Sequence, residues 1–245
     1  MSARSLARQA RALLYPRRCP FCGRVLGTVP VCEDCAPELD ELRRRPTMRL
    51  HEGGHYLGAL SGAAAPYEYE GCVRRAVLNA KYSAEPWTAE ELGVELARCA
   101  FGSEVEMHFT QPKPQRVAGL ELGYQCIVPV PATNRVRGYN VPERMARPLA
   151  EAIGVPLLPN ALERVRTDRR QEGLTLDERL ANVAGAFRVT KPEDIEGRSV
   201  LLIDDVITTG ATAAACAQTL LAAGAQSVFA VSFAAVGRGA AIRRK

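Results

Sequence analysis

The segment that most constrains this chain is Val200-Leu201-Leu202-Ile203-Asp204-Asp205-Val206-Ile207-Thr208-Thr209-Gly210-Ala211-Thr212. An apolar run of strand length without polar alternation must be buried on both faces. Such strands belong to parallel sheets covered by helices on either side. Two adjacent carboxylates follow at the strand's carboxyl end, then a Thr/Gly loop, then a helix start. In an open parallel sheet, ligands sit in the crevice outside the carboxyl ends of the strands. Asp204 and Asp205, acceptors only, suit the vicinal hydroxyls of a ribose or the waters of a magnesium ion. Thr208, Thr209, Gly210, Ala211 and Thr212 fall at a helix N-terminus, where unpaired amides and the positive dipole end attract a phosphate. The same residues could merely cap the helix. Capping needs one such residue, however, and two acids with three threonines around a glycine point to a sugar phosphate. A nucleoside-triphosphate loop is excluded, because no GxxxxGK segment occurs.

The pattern around this segment repeats strand and helix. We expect strands at 56–60, 64–69, 126–130, 155–158, 187–189, 199–203 and 227–233. Helices are expected at 2–15, 36–46, from 71, at 88–100, 140–153 and 211–223, with an exposed connection over 102–119. This order predicts an α/β fold with a parallel sheet flanked by helices.

A second signal lies near the N-terminus. Cys19-Pro20-Phe21-Cys22 and Cys32-Glu33-Asp34-Cys35 form two CxxC pairs separated by nine residues. Two thiolate hairpins of this kind can close a tetrahedral zinc site with no open position, which makes the zinc structural. A disulfide pair is the alternative and needs an oxidising compartment. Removing zinc should then loosen residues 1–46 and leave the rest folded. Cys72, Cys99, Cys126 and Cys216 stand alone in apolar surroundings and read as buried small hydrophobes.

Arg4, Arg8, Arg11, Arg17 and Arg18 precede the first acid, Glu33. These arginines interrupt any apolar core of a secretory signal, and no run reaches the roughly 20 apolar residues of a membrane helix, so we expect a cytoplasmic chain without membrane insertion. The net charge of +5 is compatible with phosphates or nucleic acid and proves neither. His51, His55 and His108 lack acids at ligand spacing, and no role is assigned to them.

Taken together, the acid-Thr-Gly segment, the four cysteines, Val128-Pro129-Val130-Pro131, Arg135, Arg137-Gly138-Tyr139-Asn140, Gln171, Arg179-Leu180-Ala181-Asn182-Val183 and Phe187 carry a resemblance. The central segment resembles the phosphoribosyl-pyrophosphate motif of type I phosphoribosyltransferases, and the whole chain resembles the ComF family of competence-associated proteins. The resemblance implies a type I phosphoribosyltransferase-like fold with a small zinc module. Residues 1–46 would be a basic leader and zinc module, 47–120 a hood or accessory part, and 121–237 the core of a domain spanning 47–245. It also implies a pyrophosphate loop over 132–137 and a catalytic loop between Arg164 and Asn182. Asp204 and Asp205 would then hold ribose and magnesium, 208–212 the 5-phosphate, and Arg135, Arg137, Arg164 and Arg179 the pyrophosphate. Bidentate guanidinium geometry suits phosphate oxygens.

One departure is Val141, where the family usually has Gln. Lys81-Tyr82 matches a recurrent Lys-aromatic pair, but a lone lysine after a helix is as readily a surface residue. Two functional readings follow. One is transfer of phosphoribosyl from phosphoribosyl pyrophosphate to an acceptor, with a nucleobase-like molecule as one alternative. The other is a competence factor that binds single-stranded DNA for the DNA-uptake machinery without turnover.

Overall fold

The structure, a computed structural model, describes residues 16–52, 54–83, 85–107, 112–117, 122–132, 138–165 and 185–237. The expected helix at 2–15, His108, Arg135, Arg137, Gln171, Arg179 and the 166–182 part of the catalytic loop lie outside the described residues.

A parallel sheet forms the centre. Strands β1 (Gly62–Ala64) and β2 (Tyr67–Glu68) precede helices α2 (Gly71–Tyr82) and α3 (Pro86–Phe101), and a short α1 (Ala36–Glu41) precedes them all. Next come β3 (Val105–Glu106), β4 (Lys113–Pro114), β5 (Cys126–Pro129), α4 (Val141–Ile153), β6 (Leu162–Arg164) and β7 (Phe187–Val189). The chain then runs through β8 (Ser199–Ile207), α5 (Ala211–Ala222) and β9 (Ser227–Ala235). The sheet order is β1-β9-β8-β5, with β2 also on β9, and every pairing in it is parallel. β6 and β7 pair antiparallel beside it. The α/β expectation therefore holds.

Strand β8 explains how the two faces divide. Leu201 and Ile203 join one core with residues of α2, α3 and α4. Val200 and Leu202 point the other way, into a core with α5, β6 and β7. Alternation along a strand places consecutive side chains on opposite faces. By the same parity Asp204 continues the α5 side and Asp205 the α2 side. Helices α3 and α4 approach closely at Gly93, where a Cβ would lie 2.3 Å from the Met145 carbonyl oxygen. Only glycine allows that backbone contact.

Several expected elements differ. Residues 56–60 turn rather than extend, since Gly58 takes φ +52, and the strand begins only at Gly62. The expected strand at 64–69 contracts to Tyr67–Glu68, and 155–158 contributes a single bridge from Leu157 to Ile127. The helix expected to 46 stops at Glu41, because the Arg44 amide leaves for the Pro66 carbonyl. The 102–119 connection carries the small β3–β4 pair.

The cysteine segment packs onto the same core as α2 and α3. Phe21, 1% exposed, lies 6.5 Å ring to ring from Phe233 on β9, which is itself 5.2 Å from Tyr67. Arg17 donates two bonds, of 2.7 and 2.8 Å, to the buried Glu91 carboxylate on α3. Glu38 on α1 accepts the Cys72 amide at the start of α2 at 2.8 Å. No helix among the described residues is long and apolar enough to cross a membrane.

Candidate functional site

Because β8 ends beside β5 and β9, its two acids reach the carboxyl edge of the sheet from opposite faces. The Asp205 amide donates to Asp204 Oδ1 at 2.8 Å, which fixes the first carboxylate against the backbone of the second. Lys81, on the last turn of α2, donates from Nζ to Asp205 Oδ1 at 2.7 Å. Burial works against the Lys81 ammonium, yet Asp205 and then Asp204 hold its pKa above the ordinary value. Asp204 behaves differently. Burial first, and the Asp205 charge second, push its pKa up to about 7, against the pull of Lys81, the Asp205 amide and Arg164.

Arg164, at the end of β6, is buried with its guanidinium 4.5 Å from the centre of the Phe187 ring. Its charge reaches Asp204 from the α5 side of the sheet. Tyr139 donates its hydroxyl to the Ala80 carbonyl at 2.6 Å and so fastens the end of α2 next to Lys81. Asn140 donates from Nδ2 to the Val130 carbonyl at 2.9 Å, tying the start of α4 to the end of β5. Two parts of the resemblance thus meet around the acids, whereas Arg135, Arg137 and Arg179 lie outside the described residues.

The loop after the acids is built for close approach. Gly210 takes φ +88 as the residue before α5, and no side chain caps that helix. The capping alternative for Asp205 and the threonines is therefore not realised. Thr208 is exposed, and Thr209 and Thr212 are half-buried. A Cβ on Gly210 would lie 2.2 Å from the Tyr56 carbonyl oxygen. Gly210→Ala is expected to destabilise the protein by at least about 1–2 kcal/mol from the left-handed backbone alone, with the backbone clash added. Thermal unfolding of the variant measures this.

Cys19, Cys22, Cys32 and Cys35 bring their sulfurs within 4.8 Å of one another. Among the described residues this is the one group with a metal-binding arrangement of this kind. The Gly23 amide donates to the Cys19 carbonyl at 2.8 Å and the Ala36 amide to the Cys32 carbonyl at 3.0 Å, two tight turns that aim the thiols inward. Burial and the neighbouring thiols push the Cys35 pKa well above its ordinary value. Four such thiols fit a tetrahedral thiolate-binding ion, whose charge would reverse that shift. The four other cysteines are buried, as expected.

Lys81 was only one of two readings in the sequence, and nothing in its neighbours announces an acid 124 positions away. Residues 56–58, expected to begin a strand, instead lie against the loop that follows the acids, next to His55, to which the sequence assigned no role.

Comparison with known proteins accords with this geometry. Residues 139–245 match the Phosphoribosyl transferase domain family. The chain is 37% identical over 117 residues to DNA utilization protein YhgH of Salmonella typhimurium, which covers 46% of this chain and 50% of that protein. It is 35% identical over 92 residues to Competence protein F of Haemophilus influenzae, covering 36% of this chain and 40% of that one. Competence protein ComFC of Bacillus subtilis is 26% identical over 209 residues, covering 84% of this chain and 72% of that protein. The matches to the first two span half or less of those relatives. A solved structure of the allosteric regulatory enzyme of purine biosynthesis aligns at 20% identity and TM-score 0.35, over 58% of this chain and 25% of that one.

Proposed function

We propose, for a chain that belongs to the ComF family and carries a phosphoribosyltransferase domain, a site for phosphoribosyl pyrophosphate with magnesium at the carboxyl end of β8. One observation carries this reading: two carboxylates on opposite faces of a central parallel strand lead directly into a helix N-terminus that no side chain caps. Carboxylates accept from ribose hydroxyls or metal-bound water, and open helix amides donate to an anion.

In this reading the Thr208–Thr212 stretch receives the 5-phosphate, Asp204 and Asp205 the ribose hydroxyls and the magnesium shell, and Arg164 the pyrophosphate together with Arg135, Arg137 and Arg179. Lys81 neutralises Asp205 and supplies a cation beside the developing charge of the leaving group. Magnesium would supply further charge neutralisation on that group. Phosphoribosyl transfer would rest on positioning and electrostatics rather than on a covalent enzyme intermediate. Zinc in the four-cysteine cluster would be structural, with residues 1–46 as its module and 47–245 as the transferase-like domain, acting in the cytoplasm during DNA uptake.

Titration calorimetry should detect phosphoribosyl pyrophosphate binding with magnesium and at least about tenfold weaker binding without it, a difference of about 1.4 kcal/mol. No binding at saturating magnesium would sink the reading. A second reading is favoured by the relatives' names, which speak of DNA utilization and competence: single-stranded DNA binding without turnover. Oligonucleotide binding with a steep salt dependence, in a protein that ignores phosphoribosyl pyrophosphate, would favour that alternative.

A further inference from the structure

We propose that His55 is a positioning residue for the phosphate loop, locking the main chain of that loop between residues 54–58 and the end of β9. The argument begins with burial: His55 is 6% exposed, and a buried imidazole needs partners for its ring nitrogens. Its Nε2 lies 3.1 Å from the Val236 carbonyl oxygen. A carbonyl only accepts, so Nε2 carries the proton and donates.

Val236 is one residue past β9, and its own amide donates to the Ile207 carbonyl at 3.0 Å, where the phosphate loop leaves β8. One residue beyond His55, the Tyr56 amide donates to the Thr209 carbonyl at 2.7 Å. The Tyr56 carbonyl oxygen is the atom that leaves no room for a Cβ on Gly210. Gly58 adds a contact further on, where its Cβ would sit 3.1 Å from the Ala214 Cβ of α5. The turn itself is closed by the Gly54 and His55 amides, which donate to the His51 carbonyl at 3.0 and 3.1 Å.

His55 is thus the side chain that ties this turn to the strand end, while the turn's backbone holds Thr209 and Gly210. Amides can serve a phosphate only if they are fixed before it arrives, since a loop that must be ordered on binding loses affinity. The inference rests on the sugar-phosphate reading of the loop, and it predicts selectivity. Loosening the clamp affects ligands that use the 5-phosphate and spares those that use only the pyrophosphate side.

The test compares wild type, His55→Ala and His55→Gln as full chains with zinc present. Glutamine places an amide N–H near the position of Nε2 and retains the donor. In His55→Ala, ribose 5-phosphate should bind at least about tenfold more weakly, the loss of roughly one buried hydrogen bond. Inorganic pyrophosphate should stay within about twofold, and His55→Gln should recover most of the difference.

Amide exchange measured without ligand should accelerate over 207–212 in His55→Ala and stay unchanged at the centres of β8 and β9. Equal weakening of both ligands, or unchanged exchange at 207–212, overturns the clamp. Wild type that fails to bind ribose 5-phosphate overturns the sugar-phosphate reading instead, and the exchange data still decide whether His55 holds the loop.

Discussion

Asp204→Asn should raise the melting temperature at pH 8 while abolishing phosphoribosyl pyrophosphate binding; Asp205→Asn should abolish binding and lower the melting temperature. The two acids are neighbours and the substitutions identical, so the contrast isolates their surroundings. Asp204 has its pKa raised from 3.8 to about 7, chiefly by burial and then by Asp205. A carboxyl whose folded pKa is raised binds its proton more tightly when folded. Its favourable contribution is full below pH 3.8 and is lost as pH rises towards 7, so above that the ionised group opposes folding. Each pKa unit is worth about 1.4 kcal/mol. Allowing for the partial exposure of Asp204, relief of about 1–3 kcal/mol is expected at pH 8, or roughly 2–8 °C for a chain of this size. At pH 4 the gain should nearly vanish. Asparagine also keeps the oxygen that accepts the Asp205 amide.

Asp205 is the opposite case. Its carboxylate is the partner of Lys81, which is only 24% exposed. Asparagine leaves that ammonium without its counter-charge, at a cost of about 1–3 kcal/mol. Binding should fall by at least about a hundredfold in both variants, since each removes a charged acceptor worth about 3 kcal/mol. Thermal unfolding at pH 4 and pH 8, with calorimetry at pH 8, checks all four expectations. A melting temperature lowered by Asp204→Asn at pH 8 would mean that the acid is held by structural bonds rather than kept strained for a ligand.

The central segment was legible because every local choice in it agreed. The apolar run specified a buried strand, the two acids its polar end, and the Thr/Gly stretch the start of the next helix. What stayed illegible depends on contacts distant in sequence. Lys81 meets Asp205 across 124 positions, and its role is set by the packing of α2 on the sheet rather than by its neighbours. Residues 56–60 have a strand-like composition, but Gly58 takes a left-handed conformation, and the Tyr56 amide bonds to Thr209 in the loop after β8 rather than to a neighbouring strand. The short strands β1 and β2 were misplaced for a related reason. Their pairing is dictated by β9, more than 160 residues away. The four cysteines announced their own cluster, but not the surface on which it rests.

That surface changes what zinc removal should do. Spacing alone predicts that chelation frees residues 1–46 and leaves the remainder intact. The packing predicts a cooperative loss instead. Without the ion, weak contacts such as that between the Cys22 and Cys32 sulfurs at 3.5 Å are all that join the thiols, so the two turns carrying Cys19 and Cys32 lose what closes them. Opening them withdraws Phe21 from Phe233, which itself packs on Tyr67, and loss of a buried aromatic of this kind costs about 3–5 kcal/mol. It also withdraws Arg17, leaving Glu91 in the interior with a pKa already raised by burial and no guanidinium to oppose the shift. A chelator should therefore lower the melting temperature of the whole chain by about 10 °C or more, in one transition that zinc restores. Phe21→Ala with zinc bound should reproduce part of the fall while the metal content stays stoichiometric. Two separate transitions, with the α/β part melting within about 1 °C of its zinc-loaded value, would show that the cluster rests on the core without supporting it.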